Sequence, residues 1–558
     1  MRLSRRLLIA LTAASALALP RLFAADPAPA PSASRILAHT KILASDEFEG
    51  RAPASPGEDK TVAYLEREFR ALGLAPGNPN GTFVQSVPLV GITSRVTTAF
   101  TVGDRTLTPE ALTEGVTLSR RLAPRVAVNA SELVFVGYGI SAPEFGWDDY
   151  KGVDVRGKTV VMLINDPPVT DATGRLDPAV FGGNAMTYYG RWTYKYEIAS
   201  AKGAAACLIV HETGPAGYPF AVVAANGGRE NFDLRSPDAN ASRVAVEGWL
   251  ALDFTRALFT AAGEDFAKLK AAAATREFKP VPLKARASFT VANQIRDVVS
   301  RNVVALLPGA DPVRRAEFVI FTAHWDAFGR NPALAGDQIL NGAADNAIAV
   351  AMLLELARAA VALPVAARPA RSLLFLSPTA EEKGLLGSRY YVERPLYPLA
   401  RTLAAINLEP LDANGAYGPT RDLEIVGQNP STLDDLAAEV AREQGRVLRP
   451  DTEAAKGYYY RSDHFEFAKA GVPAFFTRSG LDFIGQPADY GAKLREAYLL
   501  HDYHKVTDEV RPDWTMEGAA QNTAFLLALG LRVANSPAWP EWKPGTEFKA
   551  RRDSMLKR

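Results

Sequence analysis

The sequence predicts an α/β protein built on a doubly wound, mostly parallel sheet with helices on both faces, interrupted by a β-rich insert. Three observations predict it. After about Ala285, continuously apolar, β-leaning runs alternate with helical patterns, the texture of parallel strands covered on both sides. Between about Ser131 and Ala285, short strands are instead separated by turn clusters. Several of the later strands stop abruptly at histidine or carboxylate, and open parallel sheets carry their sites at those carboxyl ends.

At 558 residues the chain is long enough for about three domains. Hydrophobic content of 47% supplies large cores, and 22% charged is ordinary for a soluble protein. With 63 basic and 62 acidic residues the net charge is +1, which argues against nucleic acid or a membrane surface held by bulk charge. The first 25 residues read as a signal peptide: a basic "MRLSRR", an apolar "LLIALTAASALAL", then small residues around Ala24 and Ala25. The expected location is therefore periplasmic or secreted, with no membrane anchor in the mature chain. Arg5 and Arg6 raise a twin-arginine route. Cys207, the one cysteine, lies in "AAACLIVH" and reads as a core hydrophobe, so internal disulfides are excluded.

Residues 26–34 form a Pro/Ala linker. Residues 35–128 open with two helical patterns, the second placing Val62, Leu65, Phe69 and Leu72 on one face before Gly73 stops it. The insert spans 129–284, with strands at "ELVFVGYGIS", "GKTVVMLIND", "AACLIVHE" and "ASRVAVEGWL" and a helix at "YKYEIASAKGA". Its His211 stands alone, without a cluster of metal-type side chains. Residues 285–545 carry the doubly wound pattern: strands "NVVALLP", "EFVIFTAH", "SLLFLS", "LAAINLE" and "VPAFFT", with helices at "NAIAVAMLLELARAAVAL" and "TLDDLAAEVAREQG". Residues 546–558 are expected to be a tail.

The strand ends hold the chemistry. His324 and Asp326 end one, Glu381 and Glu382 follow another, Glu409 ends a third, and Asp345 opens the long helix. Downstream, "HDYHKVTDE" offers His501, His504 and Asp508. Histidines mixed with carboxylates suit a divalent ion, and zinc accepts both nitrogen and oxygen. No spacing matches a single-helix zinc motif, so tertiary folding would have to assemble the ligands.

The motifs "AHWD", "NGAADNA", "TAEEKGLLGS", "AINLE", "YRSDHFEFAKAGVPA" and "YHKVTDE" occur in the order found in co-catalytic di-zinc exopeptidases. The last 270 or so residues thus resemble that family, which includes bacterial secreted leucyl aminopeptidases and glutamate carboxypeptidase II, and the insert resembles a protease-associated domain. The resemblance implies two Zn²⁺: His324 and Glu409 on one, Glu382 and His504 on the other, Asp345 bridging, with a cis peptide between Asp345 and Asn346. It further implies Glu381 as general base toward a metal-bridging hydroxide, and Tyr503 as oxyanion donor. Asp326 would orient His324, and Asp508 would do the same for His504. Glu409 departs from the aspartate usual in its motif, and "DNAIAV" departs from the small, Gly-containing run usual after the bridge.

Blander readings stand beside these. His464 would line or buttress the pocket, Tyr458, Tyr459 and Tyr460 would form a substrate wall or plain packing, and Arg421 and Arg461 would make surface salt bridges or meet a substrate carboxylate. The function expected is an aminopeptidase acting on peptide substrates, favoured over a carboxypeptidase because no clear basic cluster marks a carboxylate pocket. A glutaminyl cyclase-like acyl transferase would need one zinc, and a receptor-like relative would lack ligands or base; the full set, with Glu381, speaks against both.

Overall fold

The computed structural model describes residues 30–224, 227–427 and 430–557. The signal segment at 1–25 and the start of the linker lie outside the described residues. In chain order the elements that matter are α1 (Ala33–Leu43), α2 (Pro56–Ala71), β1 (Val84–Val102), β2 (Arg125–Phe135), β3 (Thr159–Leu163), α3 (Trp192–Ala201), β4 (Ala206–His211), β5 (Val246–Ala251) and β6 (Val281–Leu307). There follow β7 (Phe318–Thr322), α4 (Ile348–Val361), β8 (Ser372–Ser377), β9 (Thr402–Leu408), β10 (Asp422–Ile425), α5 (Thr432–Glu443), β11 (Ala474–Ser479), α6 (Tyr490–His501), α7 (Glu517–Asn535) and α8 (Lys549–Leu556).

The strands join into one mixed sheet whose path runs β10-β11-β9-β7-β8-β6-β2-β3-β4-β5. β7 pairs parallel with β8 on one side and with β9 on the other, and β9 pairs parallel with β11. Strand order therefore reverses at β7, the kind of switch point outside which α/β sheets open a crevice. Alternation along each strand covers both faces: Val319, Phe321, Leu373 and Phe375 enter one core, while Phe318, Ile320, Leu374 and Leu376 enter the other. α4, apolar nearly all round, is buried between the sheet, α1 and α7. The second parallel set, β2-β3-β4-β5, builds the insert over separate cores.

The two halves share a strand. β6 is 27 residues long; it pairs antiparallel with β1 and β2 near its start and with β8 at its end. The joints expected at 128/129 and 284/285 both fall inside paired strands, because local turn signals cannot reveal a strand that serves two cores. The stretch 546–558, expected as a tail, instead contains α8; Phe548 is buried, and Arg552 donates to the Thr402 carbonyl at 2.8 Å. Among the described residues no helix is long and apolar enough to cross a membrane.

Candidate metal centre

Three parallel strands deliver the acids. β7 ends at Thr322, and two residues later His324 is 1% exposed. Its Nδ1 lies 3.1 Å from the backbone carbonyl of Asp326 and 3.7 Å from the Asp326 carboxylate. The ring is thus oriented by the Asp326 main chain, where the carboxylate was expected. That carboxylate accepts the amides of Glu381 (3.0 Å) and Glu382 (3.3 Å) instead, tying the loop after β8 to the loop after β7. Ala380, at φ 54°, turns the chain sharply between β8 and these two glutamates.

Asp345 lies between the two imidazoles. Its Oδ1 is 3.4 Å from His324 Nε2, and its Oδ2 is 3.2 Å from His504 Nε2. The peptide between Asp345 and Asn346 is cis, as the resemblance implied. Asp508 is not beside His504. Its carboxylate accepts the amides of Ala344 (2.9 Å) and Asp345 (3.1 Å), so it fixes the bridging loop and not the second imidazole. The ring of His504 is stacked on Tyr503 at 3.7 Å, lies 4.5 Å from Phe328, and approaches Glu382 Oε2 at 3.6 Å.

The ligand-type atoms fall into two groups, His324 with Glu381 and Glu409, and Asp345 with Glu382 and His504; within each they lie within 4.8 Å of one another. Glu381 therefore faces into the cluster alongside Glu382, its Oε2 3.8 Å from His324 Nε2, and the two side chains do not diverge as expected. His501 is exposed and belongs to neither group, and His464 is buried between Tyr459 and Phe476. Burial takes the His464 imidazole down to about 3, so it is neutral packing.

The electrostatics of the cluster are those of acids crowded out of water. Burial pushes Glu381 and Glu382 well above the usual carboxylate range, with neighbouring carboxylates adding to the rise. Glu409 is driven up to about 8 by burial, with Asp345 adding and His324 opposing. Asp345 moves the other way: burial would raise it, but His324 and His504 hold it below its ordinary value. His324 is raised despite burial, chiefly by Glu381 and then by Asp326 and Asp345. His324 Nε2, Asp345 Oδ1 and Glu382 Oε1 are buried without a hydrogen-bond partner. Orphaned nitrogen and oxygen donors converging from different strands fit a pair of divalent cations better than any internal pairing.

Sequence patterns passed over several residues of this site. Arg51, 1% exposed, sends its guanidinium to the carbonyls of Leu43 (2.6 Å), Trp325 (2.9 Å), Asn341 (2.6 Å) and Gly342 (2.9 Å). It pins the loops of His324 and Asp345 to the N-terminal helices, and no periodicity marks it. Ser462 donates a short hydrogen bond to Glu409 Oε2 and accepts from Asn407 Nδ2 at 2.6 Å; Asn407 Oδ1 accepts from Thr322 at 2.6 Å. This relay fixes the longer glutamate where the motif usually has aspartate. Asp463 is buried beside the cluster and pushed up to about 7 by burial.

The match to Peptidase family M28 covers residues 302–528, which hold all five candidate ligands. The mouse protein Aminopeptidase NAALADL1 is 33% identical over 131 residues, 23% of this chain; the match spans 16% of the length of that relative. Among solved structures, an aminopeptidase from Aneurinibacillus sp. strain AM-1 is similar at 21% identity, covering 92% of this chain and 96% of its own, with a TM-score of 0.48. The zinc aminopeptidase BSAP from Bacillus subtilis is similar at 16% identity, with 92% and 97% coverage and a TM-score of 0.42. The part of this chain that gathers two histidines and a cluster of buried acids at one sheet edge, residues 302–528, is a domain of Peptidase family M28.

Proposed function

We propose that the protein is an exported, zinc-dependent exopeptidase that releases amino-terminal residues from peptides. The observation that carries this reading is Asp345, whose two oxygens face two different imidazoles at 3.4 and 3.2 Å. A carboxylate so placed is suited to bridge two ions. His324 and Glu409 would hold one, Glu382 and His504 the other. When bound, zinc supplies Lewis acidity toward the scissile carbonyl and lowers the pKa of water toward ~7.

The chain's own residues do the rest. Glu381 lies in the cluster without being assigned as a ligand, so its carboxylate is the base that takes a proton from water and passes it to the leaving amine. Metal-free burial raises its pKa; cations alongside lower it again and leave the carboxylate ionised and able to accept. Tyr503, stacked on His504, is the hydroxyl assigned to the developing oxyanion. Asp326 and Asp508 act on backbone amides, keeping the two loops in register while charge redistributes. The insert, in the role of a protease-associated domain, would close one side of the substrate path. The family match over 302–528 and the full ligand set support catalysis over a receptor-like role.

Metal analysis of purified protein, paired with amino-acid release from peptides blocked at one end or the other, tests this. Two zinc per chain and release only from free amino termini are expected. One zinc per chain with cyclisation of N-terminal glutamine would replace the reading with acyl transfer.

A further inference from the structure

Beside the acid cluster lies a charge imbalance of the opposite sign. Arg191, on the insert just before α3, is 9% exposed; its guanidinium has no hydrogen bond or ion pair among the described residues, and its Nε is buried without a partner. Arg461, from the segment between β10 and β11, also has an orphaned Nε. Its Nη2 donates to the Lys456 carbonyl at 2.5 Å, and its guanidinium lies 5.1 Å over the Tyr458 ring, but it too joins no carboxylate.

The two segments are packed together. The Met186 amide donates to the Ala454 carbonyl at 3.0 Å, and Tyr188 meets Tyr460 with ring centroids 6.1 Å apart. Arg461 is the charge that weighs most on Arg191, and the surrounding groups are the phenols of Tyr188, Tyr218 and Tyr460; burial and that repulsion take Arg191 down to about 9. Two buried acids of this region are already committed. Glu547 accepts from the Tyr460 hydroxyl at 3.2 Å, and Asp166 accepts the amide and hydroxyl of Thr187 at 2.6 and 2.8 Å. Facing buried cations without an anion are unfavourable, and a carboxylate bound by both relieves the desolvation and the repulsion together. The pair also adjoins the metal centre: Ser462, next in the chain, holds Glu409, and the Arg461 charge is felt by the Tyr503 phenol.

We infer that Arg191 and Arg461 form a subsite for the free C-terminal carboxylate of a short peptide. A pocket lined by buried guanidiniums under the insert suits a chain end better than a side chain on a continuing backbone. This deepens the exopeptidase reading and rests on it for cleavage: the substrates become di- and tripeptides. It also replaces the expectation that no basic cluster exists, because the two arginines stand 461 − 191 = 270 positions apart in sequence.

The zinc-loaded full chain is assayed on Leu-Ala, Leu-Ala-amide and Leu-Asp-amide. The expected result is a kcat/KM for Leu-Ala at least ~10-fold above both amides, collapsing toward parity in Arg191→Met and in Arg461→Met. Arg461→Lys should restore part of the preference, and Arg421→Met, which removes a surface arginine 2.9 Å from Asp482, should leave it as in the parent. Parity in the parent, or a preference that survives both Met variants, overturns the inference; Leu-Asp-amide equal to Leu-Ala overturns the chain-end assignment. Binding of N-acetylalanine against its amide, followed by calorimetry, separates this from the peptidase reading. Acid-selective binding lost in both variants supports the subsite even if nothing is cleaved, and equal binding of acid and amide overturns it. Unfolding temperatures complete the test: Arg191→Met should melt no lower than the parent, and a lower value would make this guanidinium a structural one.

Discussion

In the insert, Arg120 meets Glu247 at 3.1 Å and Asp233 at 3.8 Å, and Asp233 also meets Arg243 at 2.6 Å. Lys195, wholly buried, donates to the Tyr138 and Asn165 carbonyls at 2.6 and 3.2 Å, with Asp149 and Asp166 offsetting its desolvation. Buried charge there is balanced from within. Beyond the ends of β7, β8 and β9 it is not: Asp345, Glu381, Glu382 and Glu409 surround two imidazoles, and three ligand-type atoms have no partner at all. The same chain thus contains two kinds of buried polarity. One is satisfied by the fold and holds it together. The other is satisfied only by something the chain does not itself supply, and that asymmetry locates the site more sharply than any single motif.

Four experiments press on this contrast. Stripping divalent metal should have the largest effect, abolishing peptide release and lowering stability by about 4 kcal/mol when metal had stood about a thousandfold above its Kd. A melting temperature indifferent to chelation would mean the acids are balanced without cations. Glu381→Gln comes next: release should fall ~10²–10⁴-fold with metal content unchanged, as measured on dialysed protein. Full activity in that variant removes the proposed base. Ser462→Ala cuts the relay to Glu409 and should weaken zinc binding ~10–100-fold in a competition titration, with turnover recovering at saturating zinc. Unaltered affinity would show that Glu409 needs no support. Smallest for chemistry is Arg120→Met in the insert. It should cost about 1–3 kcal/mol in denaturant unfolding yet leave release per folded molecule within ~2-fold, since distant sites act independently.

The strands of the metal-bearing half were legible because burial on both faces leaves continuously apolar runs, and β7, β8, β9 and β11 stand where those runs lie. The candidate ligands were legible for a related reason: histidine and glutamate are conspicuous at the end of an apolar strand. Where inference from sequence faltered, the partner was backbone or distant. Asp508 was paired with the nearest histidine, yet it binds amides some 160 residues away. Arg51 works through carbonyls, which every residue possesses and no motif records. β6 hid its double membership because each half of it reads as an ordinary strand.

By itself, then, the order of residues determined which segments become strands, which become helices and which side chains have the chemistry to bind a divalent ion, because those properties follow from local periodicity and residue type. Only the tertiary structure decided which carboxylate stands between the two imidazoles, which backbone amides hold it there, and that two arginines from different halves of the chain come to face one another. Those outcomes depend on through-space distance, and distance between residues hundreds of positions apart is set by how the strands pair and the cores close.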